Sequence, residues 1–291
     1  MARALLLHNP AARSAPDPAL LSALVRELGF AGFGVHIAAS LAKGDLTHLA
    51  RDAGERGFDR VVVCGGDGSV REVAQGLMGS GIPLAVIPMG TANVLAREMS
   101  LPLESPTACA ALAGRGCPRP VGLGTVNGEA FTFCASAGLD SIAVGGVDPL
   151  EKGSTGAWAY IHAALTGLIN PGVPSLRVHL PGGQTLKAFQ VFAARANHYG
   201  GPFRLCTSAS LESPNMRLLA IAPTFAGSAV LLPRLLGQGI EGVPGVTALD
   251  VEAFELTSDA PCPVQADGDA VTMTPARFES HADALTLVFP W

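Results

Sequence analysis

The sequence predicts an α/β domain built on a parallel sheet, followed by a mostly antiparallel β-domain. Three observations carry this. Strand and helix signals alternate through the first hundred residues, which implies right-handed crossovers between parallel strands. After about residue 122 the helical spacing gives way to β-branched runs separated by turn residues. And 291 residues, 48% of them apolar and 15% charged, suit two packed domains and exclude disorder. The expected division is 1–122 and 123–291, with the last stretch, about 282–291, able to return to the first domain.

The elements follow in order. Ala4–Leu7 reads as a strand ended by Asn9-Pro10. Leu20, Leu21, Leu24, Val25 and Leu28 have helical spacing, and Gly29 stops that helix. Val35–Ala38 is a strand, and Asp45 is expected to cap a helix running to Arg56. Arg60–Cys64 is a compact strand entering Gly65-Gly66-Asp67-Gly68, with a helix over Ser69–Met78. Leu84–Ile87 and Ala92–Met99 repeat the strand-then-helix pattern. In the second half, Ser175–Leu180 and Thr185–Ala194 flank Pro181-Gly182-Gly183-Gln184 as a hairpin. Arg217–Ala222, Val246–Leu256, Pro263–Ala266 and Leu285–Phe289 are further strands, and Gly156–Ile169 is a helical interruption.

Composition excludes several function classes. A net charge of -5 argues against an electrostatic grip on nucleic acid, and 5% aromatics against a base-stacking platform. The six cysteines, Cys64, Cys109, Cys117, Cys134, Cys206 and Cys262, lack any C-x-x-C pair. They read as reduced, mostly buried thiols of a cytoplasmic protein. Met1–Leu7 lacks the h-region and cleavage site of a signal peptide. Gly153–Leu176 and Leu218–Pro233 are free of charged residues, but prolines interrupt both and neither reads as a transmembrane helix. The mean hydropathy of +0.36 hints at an apolar substrate or a membrane surface.

Two glycine turns carry the chemistry. Gly65-Gly66-Asp67-Gly68-Ser69 follows a strand and opens a helix, so that main-chain N–H groups and the helix N-terminus can face an anion. Asp67 is the informative oddity, because a carboxylate repels phosphate unless it engages Mg²⁺, a hydroxyl proton or a structural donor. The plainer alternative is a capped strand–turn–helix connection. Pro88-Met89-Gly90-Thr91-Ala92-Asn93 repeats the design at the next strand end, where Thr91 and Asn93 also suit a simple helix cap. Two such turns on neighbouring strands favour one shared phosphate ligand at the carboxyl edge of the sheet.

Further residues complete a pattern. Asn9-Pro10 with Arg13, the Gly-Gly-Asp-Gly-Ser turn with Glu72, and Gly90-Thr91-Ala92-Asn93 with Leu95-Ala96-Arg97 occur in this order. Ala137-Gly138-Leu139-Asp140, Asn197-His198-Tyr199-Gly200-Gly201 and Asp267-Gly268-Asp269 follow downstream. The ensemble resembles the diacylglycerol kinase catalytic-domain family, which includes bacterial lipid kinases and sphingosine kinases. Gly-Gly-Asp-Gly alone also occurs in NAD kinases and phosphofructokinases, but the Gly-Thr-Ala-Asn element points to the lipid branch.

The resemblance implies a Rossmann-like N-terminal domain, a β-sandwich C-terminal domain, and an ATP-dependent lipid kinase site in the cleft between them. ATP would lie along Asn9, Ser40, Gly65, Gly66, Asp67, Gly68, Ser69, Glu72, Thr91 and Asn93, accompanied by Mg²⁺. The family's catalytic base falls in Asp267-Gly268-Asp269, with the choice between Asp267 and Asp269 open and Asp67 a third carboxylate near the chemistry. Without the resemblance, Asp-Gly between apolar runs reads as a hairpin turn. The acceptor would be a diacylglycerol-like or sphingoid lipid taken from a membrane surface by a protein peripheral to it.

Two departures from the family pattern bear on metal. Val94 stands where the family usually has Asp, and Glu212-Ser213-Pro214-Asn215 lacks the Asp that holds a structural Mg²⁺. Losing both carboxylates predicts that this metal site is absent. The rivals are a kinase of a soluble acceptor on an NAD-kinase-like scaffold and a non-catalytic nucleotide- or lipid-binding homologue. Glu151-Lys152-Gly153-Ser154-Thr155 resembles part of a P-loop but reads as a helix start. Trp158, Tyr160, Ile161, Leu165, Leu168 and Ile169 form an apolar helix face for the core or for lipid. The seven histidines show no metal-ligand spacing.

Overall fold

The computed structural model describes residues 1–145, 174–222 and 233–290. The expected helix over Gly156–Ile169, its apolar face and the Glu151–Thr155 fragment lie outside the described residues, as does most of Leu218–Pro233 beyond its first strand residues. The chain divides into two compact units, Met1–Val121 with Asp283–Trp291, and Gly122–Ala282.

The first unit is built from β1 (Ala2–His8), α1 (Pro18–Phe30), β2 (Phe33–Ala39), α2 (Asp45–Arg51), β3 (Arg60–Gly65), α3 (Asp67–Leu77), β4 (Pro83–Pro88), α4 (Val94–Glu98) and α5 (Pro106–Arg115). Its strands run parallel in the order β2-β1-β3-β4. Leu6 is level with Val62 and Val62 with Ala85, and β1 and β3 are near-continuous buried apolar runs, as a sheet covered on both faces requires. Residues Thr286 and Leu287, near the chain's end, add a parallel partner to β4.

Local chemistry explains the helix starts. Asp17 caps α1 by accepting from the Leu20 N–H at 2.7 Å, and Pro18 occupies the first turn. Ser105 and Pro106 do the same for α5, accepting from Ala108 N–H at 3.3 Å. That helix was not foreseen from the sequence. The helix expected from Asp45 to Arg56 ends at Arg51, and Asp45 does not cap it. Gly44, at φ 89°, makes the turn, and the Asp45 carboxylate reaches back to the N–H groups of Leu41 and Ala42, both at 2.7 Å. The helix expected from Ala92 starts at Val94 instead, because Asn93 takes a left-handed φ of 47°.

The second unit holds β6 (Glu129–Phe131), β7 (Cys134–Gly138), α6 (Leu139–Gly145), β8 (Leu176–His179), β9 (Thr185–Ala188), β10 (Gln190–Ala194), β11 (His198–Tyr199), β12 (Phe203–Arg204), β13 (Met216–Ile221), β14 (Val246–Val251), β15 (Ala253–Ser258), β16 (Pro263–Ala266) and β17 (Asp269–Met273). Strands β5 (Cys117–Val126) and β18 (Ala276–Phe289) contribute at the boundary positions of the chain. One antiparallel sheet has the order β14-β13-β10-β7-β16-β17; in the other, β15 pairs with β8 and with the start of β18, and β8 with β9. Their facing side chains form one apolar core, including Phe131, Val178, Leu218, Val264 and the stacked pair Phe254–Phe278 at 4.4 Å. This is a β-sandwich.

The predicted hairpin forms between β8 and β9. The run Thr185–Ala194 is two strands, however, since the chain changes sheets at Phe189. Val246–Leu256 likewise splits at Glu252 into β14 and β15 of different sheets. All six cysteines are free, and burial pushes the Cys64 thiol up to about 12 and Cys109 up to about 11. Among the described residues no helix is long and apolar enough to cross a membrane.

Candidate functional site

Within the first unit the predicted residues gather at the carboxyl ends of the four parallel strands. Asn9 follows β1, Ser40 follows β2, Gly65–Ser69 lie at the β3–α3 junction, and Thr91 and Asn93 follow β4. This is the edge where ligands bind in open α/β sheets.

The two glycine turns touch. Gly66 sits at the N-cap of α3 in an extended conformation, and no side chain caps that helix. A Cβ added at Gly90 would lie 2.7 Å from the Gly66 Cα and 2.8 Å from Asn93 Oδ1, so glycine is needed for the turns to meet. The Met89 N–H donates to the Gly65 carbonyl at 2.9 Å. Asn93 closes its own turn, accepting from the Gly90 N–H at 2.8 Å and donating to the Gly90 carbonyl at 2.7 Å. The N-cap role open to Asn93 is filled by Asp67, whose Oδ1 accepts from the Val94 N–H at 2.8 Å. Thr91 is exposed beside this junction.

The remaining residues of this edge are each tied to main chain nearby. Asn9 Oδ1 accepts from the Ala11 N–H at 2.9 Å, an Asx turn that fixes the chain leaving β1. Buried Ser40 ties its N–H to the His8 carbonyl and its hydroxyl to the Ala42 carbonyl, both at 2.9 Å. Glu72 accepts from the Gly44 N–H at 3.2 Å, linking α3 to the loop before α2. Gly68 and Ser69 lie in the first turn of α3, where main-chain N–H groups have no partner within the helix.

In the second unit, Asp267-Gly268 forms the turn between β16 and β17, with φ of 50° and 89° as a two-residue hairpin turn demands. The two carboxylates of this turn differ sharply. Asp267 is 5% exposed and both its oxygens are used: Oδ2 accepts from Thr132 N–H (2.6 Å) and Oγ1 (2.8 Å), Oδ1 from Phe133 (3.1 Å) and Cys134 (3.0 Å) N–H groups. Burial pushes its carboxyl up, and those donors oppose the push. Asp269 opens β17 and is half-buried.

Beside the turn lies a polar cluster, two of whose members, Asp140 and Tyr199, the sequence marked separately. Tyr199 donates from its hydroxyl to Asp140 Oδ2 at 2.6 Å, and Gln190 donates to Asp140 Oδ1 at 2.7 Å. Ser136 also donates to Asp140, and Gln265, next to Ser136, accepts from the Gly268 N–H at 2.8 Å. Burial, then the neighbouring Asp140 charge, hold the Tyr199 phenol well above its ordinary value. Gln190 and Gln265 were missed by sequence reasoning, because only strand pairing brings Gln190 beside Asp140 and Gln265 beside Ser136. No group of three or more His, Cys, Asp or Glu side chains among the described residues has metal-binding geometry.

Comparison with known proteins assigns both halves of the chain. Residues 3–126 match the diacylglycerol kinase catalytic domain, and residues 134–289 the YegS C-terminal NAD kinase beta sandwich-like domain. A Pseudomonas aeruginosa protein described as "Probable lipid kinase YegS-like" is 32% identical over 254 residues, spanning 85% of this chain and 82% of the relative. A diacylglycerol kinase of Mycobacterium tuberculosis is 30% identical over 262 residues, 84% and 82% of the two chains. The crystal structure of a diacylglycerol kinase from Bacillus anthracis str. Sterne superposes with a TM-score of 0.77 at 20% identity, covering 99% of this chain and 96% of that one. The matched catalytic-domain model and the relatives of 30% identity or more place the chain among kinases. The chain belongs to the diacylglycerol kinase-like lipid kinase family, with a YegS-type β-sandwich domain.

Proposed function

We propose that the protein transfers the γ-phosphoryl group of ATP to a hydroxyl of a diacylglycerol-like or sphingoid lipid. The observation that carries this reading is the contact of the Gly66 and Gly90 turns at the uncapped N-terminus of α3. Two apposed glycine turns leave main-chain N–H groups where bulky side chains would otherwise stand, and helix N-termini favour anions. Gly66, Gly68 and Ser69 would cradle the phosphates. Asn9, Ser40, Glu72 and Thr91 would line the remainder of the nucleotide site along the same strand ends. Mg²⁺ bound with ATP would supply neutralisation of the phosphate charge.

Asp67 is assigned to bracing, since its Oδ1 is engaged by Val94. Asp269 is assigned as the base, because both oxygens of Asp267 are engaged by the 132–134 segment. In the reaction Asp269 takes the lipid hydroxyl proton as the lipid's oxygen bonds the γ-phosphorus. The bond from that phosphorus to the β–γ bridging oxygen breaks, and ADP leaves.

ADP release in the presence of mixed micelles tests the reading. The expected result is stimulation of about tenfold or more by a hydroxyl-bearing lipid, abolished in Asp269→Ala with little change in ATP KM. ADP release indifferent to micelles would point to a soluble acceptor. ATP binding without turnover would point to a non-catalytic homologue.

A further inference from the structure

The resemblance implies a structural Mg²⁺ at the loop before β13, and the donor set of that loop tests the fit. The main chain does turn oxygens inward there, as a bound cation would require. An organic cation lies among them. Arg195, which follows β10, is fully buried. Its Nη1 donates to the Asn215 carbonyl at 2.8 Å and to Ser280 Oγ at 2.9 Å. Its Nη2 donates to the carbonyls of Leu211 at 3.0 Å and Ser213 at 2.7 Å. The Ser280 hydroxyl in turn donates to the Pro214 carbonyl at 2.7 Å, so that residue is drawn into the same set.

Every acceptor of this guanidinium is neutral. Buried cations are ordinarily paired with a carboxylate, since desolvation of an isolated charge is costly. Here carbonyl dipoles do that work, the arrangement found around hard metal ions. The neighbouring chain is shaped for it: a Cβ at Gly122 would lie 1.9 Å from Nη2. A dication at the same oxygens would meet the guanidinium charge at contact distance, so the residues present do not fit the metal.

We propose that Arg195 is a built-in cation that takes the place of the structural metal and orders the 211–215 loop without any divalent ion.

Hydrogen exchange of the intact protein tests this. Within the loop, the amides of Glu212, Ser213 and Asn215 are hydrogen-bonded to Ser210 and Ser213 and report its order. The expected result is equal protection in EDTA and in MgCl₂ for the wild type. In Arg195→Met, exchange at these amides rises about tenfold or more, and Arg195→Lys, with fewer donors in a fixed fork, falls between. Loss of protection in EDTA for the wild type would overturn the proposal, as would unchanged exchange in Arg195→Met. Should Arg195→Met fail to fold, Arg195→Lys and the wild-type pair decide: either unchanged exchange in Arg195→Lys or EDTA sensitivity of the wild type contradicts it.

Discussion

The Asp67 carboxylate accepts from the Val94 main-chain N–H at 2.8 Å, so the first residue of α3 caps the start of α4. The acidic side chain in a phosphate-type turn thereby has a structural donor, which locks the two glycine turns to each other. Asp67→Ala is expected to cost about 1 kcal/mol of stability through the lost cap. Nucleotide affinity should fall by about tenfold, since the turns lose their mutual register. Calorimetry with ATP and thermal melts check both; unchanged affinity would remove Asp67 from the bracing role.

Gly90→Ala places a methyl group 2.7 Å from the Gly66 Cα, where main chain opposes main chain and neither can yield. The expected outcome is loss of ATP binding with the second unit intact. Near-native ATP affinity would show that the two turns need not meet.

Asp267 and Asp269 should separate cleanly by stability. Asp267→Ala strands the buried N–H groups of Thr132, Phe133 and Cys134, and is expected to lower stability by about 2 to 4 kcal/mol. Asp269→Ala should remove kcat at a smaller cost in stability than Asp267→Ala. The reverse pattern would exchange the two assignments.

What was legible in the sequence was local. Gly65–Ser69 and Gly90–Asn93 announce their turns because glycine and cap chemistry act over four or five residues. Ser105-Pro106 carried the same kind of signal for α5 and could have been found. Strands β5 to β7 were not legible, since small residues and the two prolines of Cys117–Val126 blur any alternation. The burial of Asp267 depended on the 132–134 segment, and the partners of Arg195 are carbonyls of the 211–215 loop and Ser280. Such pairings arise only when strands distant in sequence are brought into register. For the same reason Thr185–Ala194 looked like one strand, although its halves belong to different sheets.

Glu241 gives a pH prediction. Burial alone would raise its carboxyl, but donors from Ser208, Thr207 and Arg217 outweigh that and bring it to about 2. A folded value below the unfolded one means stability that is fully present above about 4.5 and is lost as pH falls towards 2. Glu241→Gln is expected to cost about 1 to 3 kcal/mol at neutral pH. Its deficit against the wild type should shrink as pH falls through that window. A deficit constant with pH would show that shape, not charge, is what Glu241 supplies.

The central claim is phosphoryl transfer to lipid, and transfer of ³²P from Mg-ATP to a panel of lipids in mixed micelles tests it most directly. Diacylglycerol, monoacylglycerol, phosphatidylglycerol and a sphingoid base would be resolved by thin-layer chromatography, with Asp269→Ala run alongside. One labelled lipid, absent with the variant, is the predicted result and names the acceptor. ATP binding with no labelled lipid, or equal labelling by Asp269→Ala, would contradict the account.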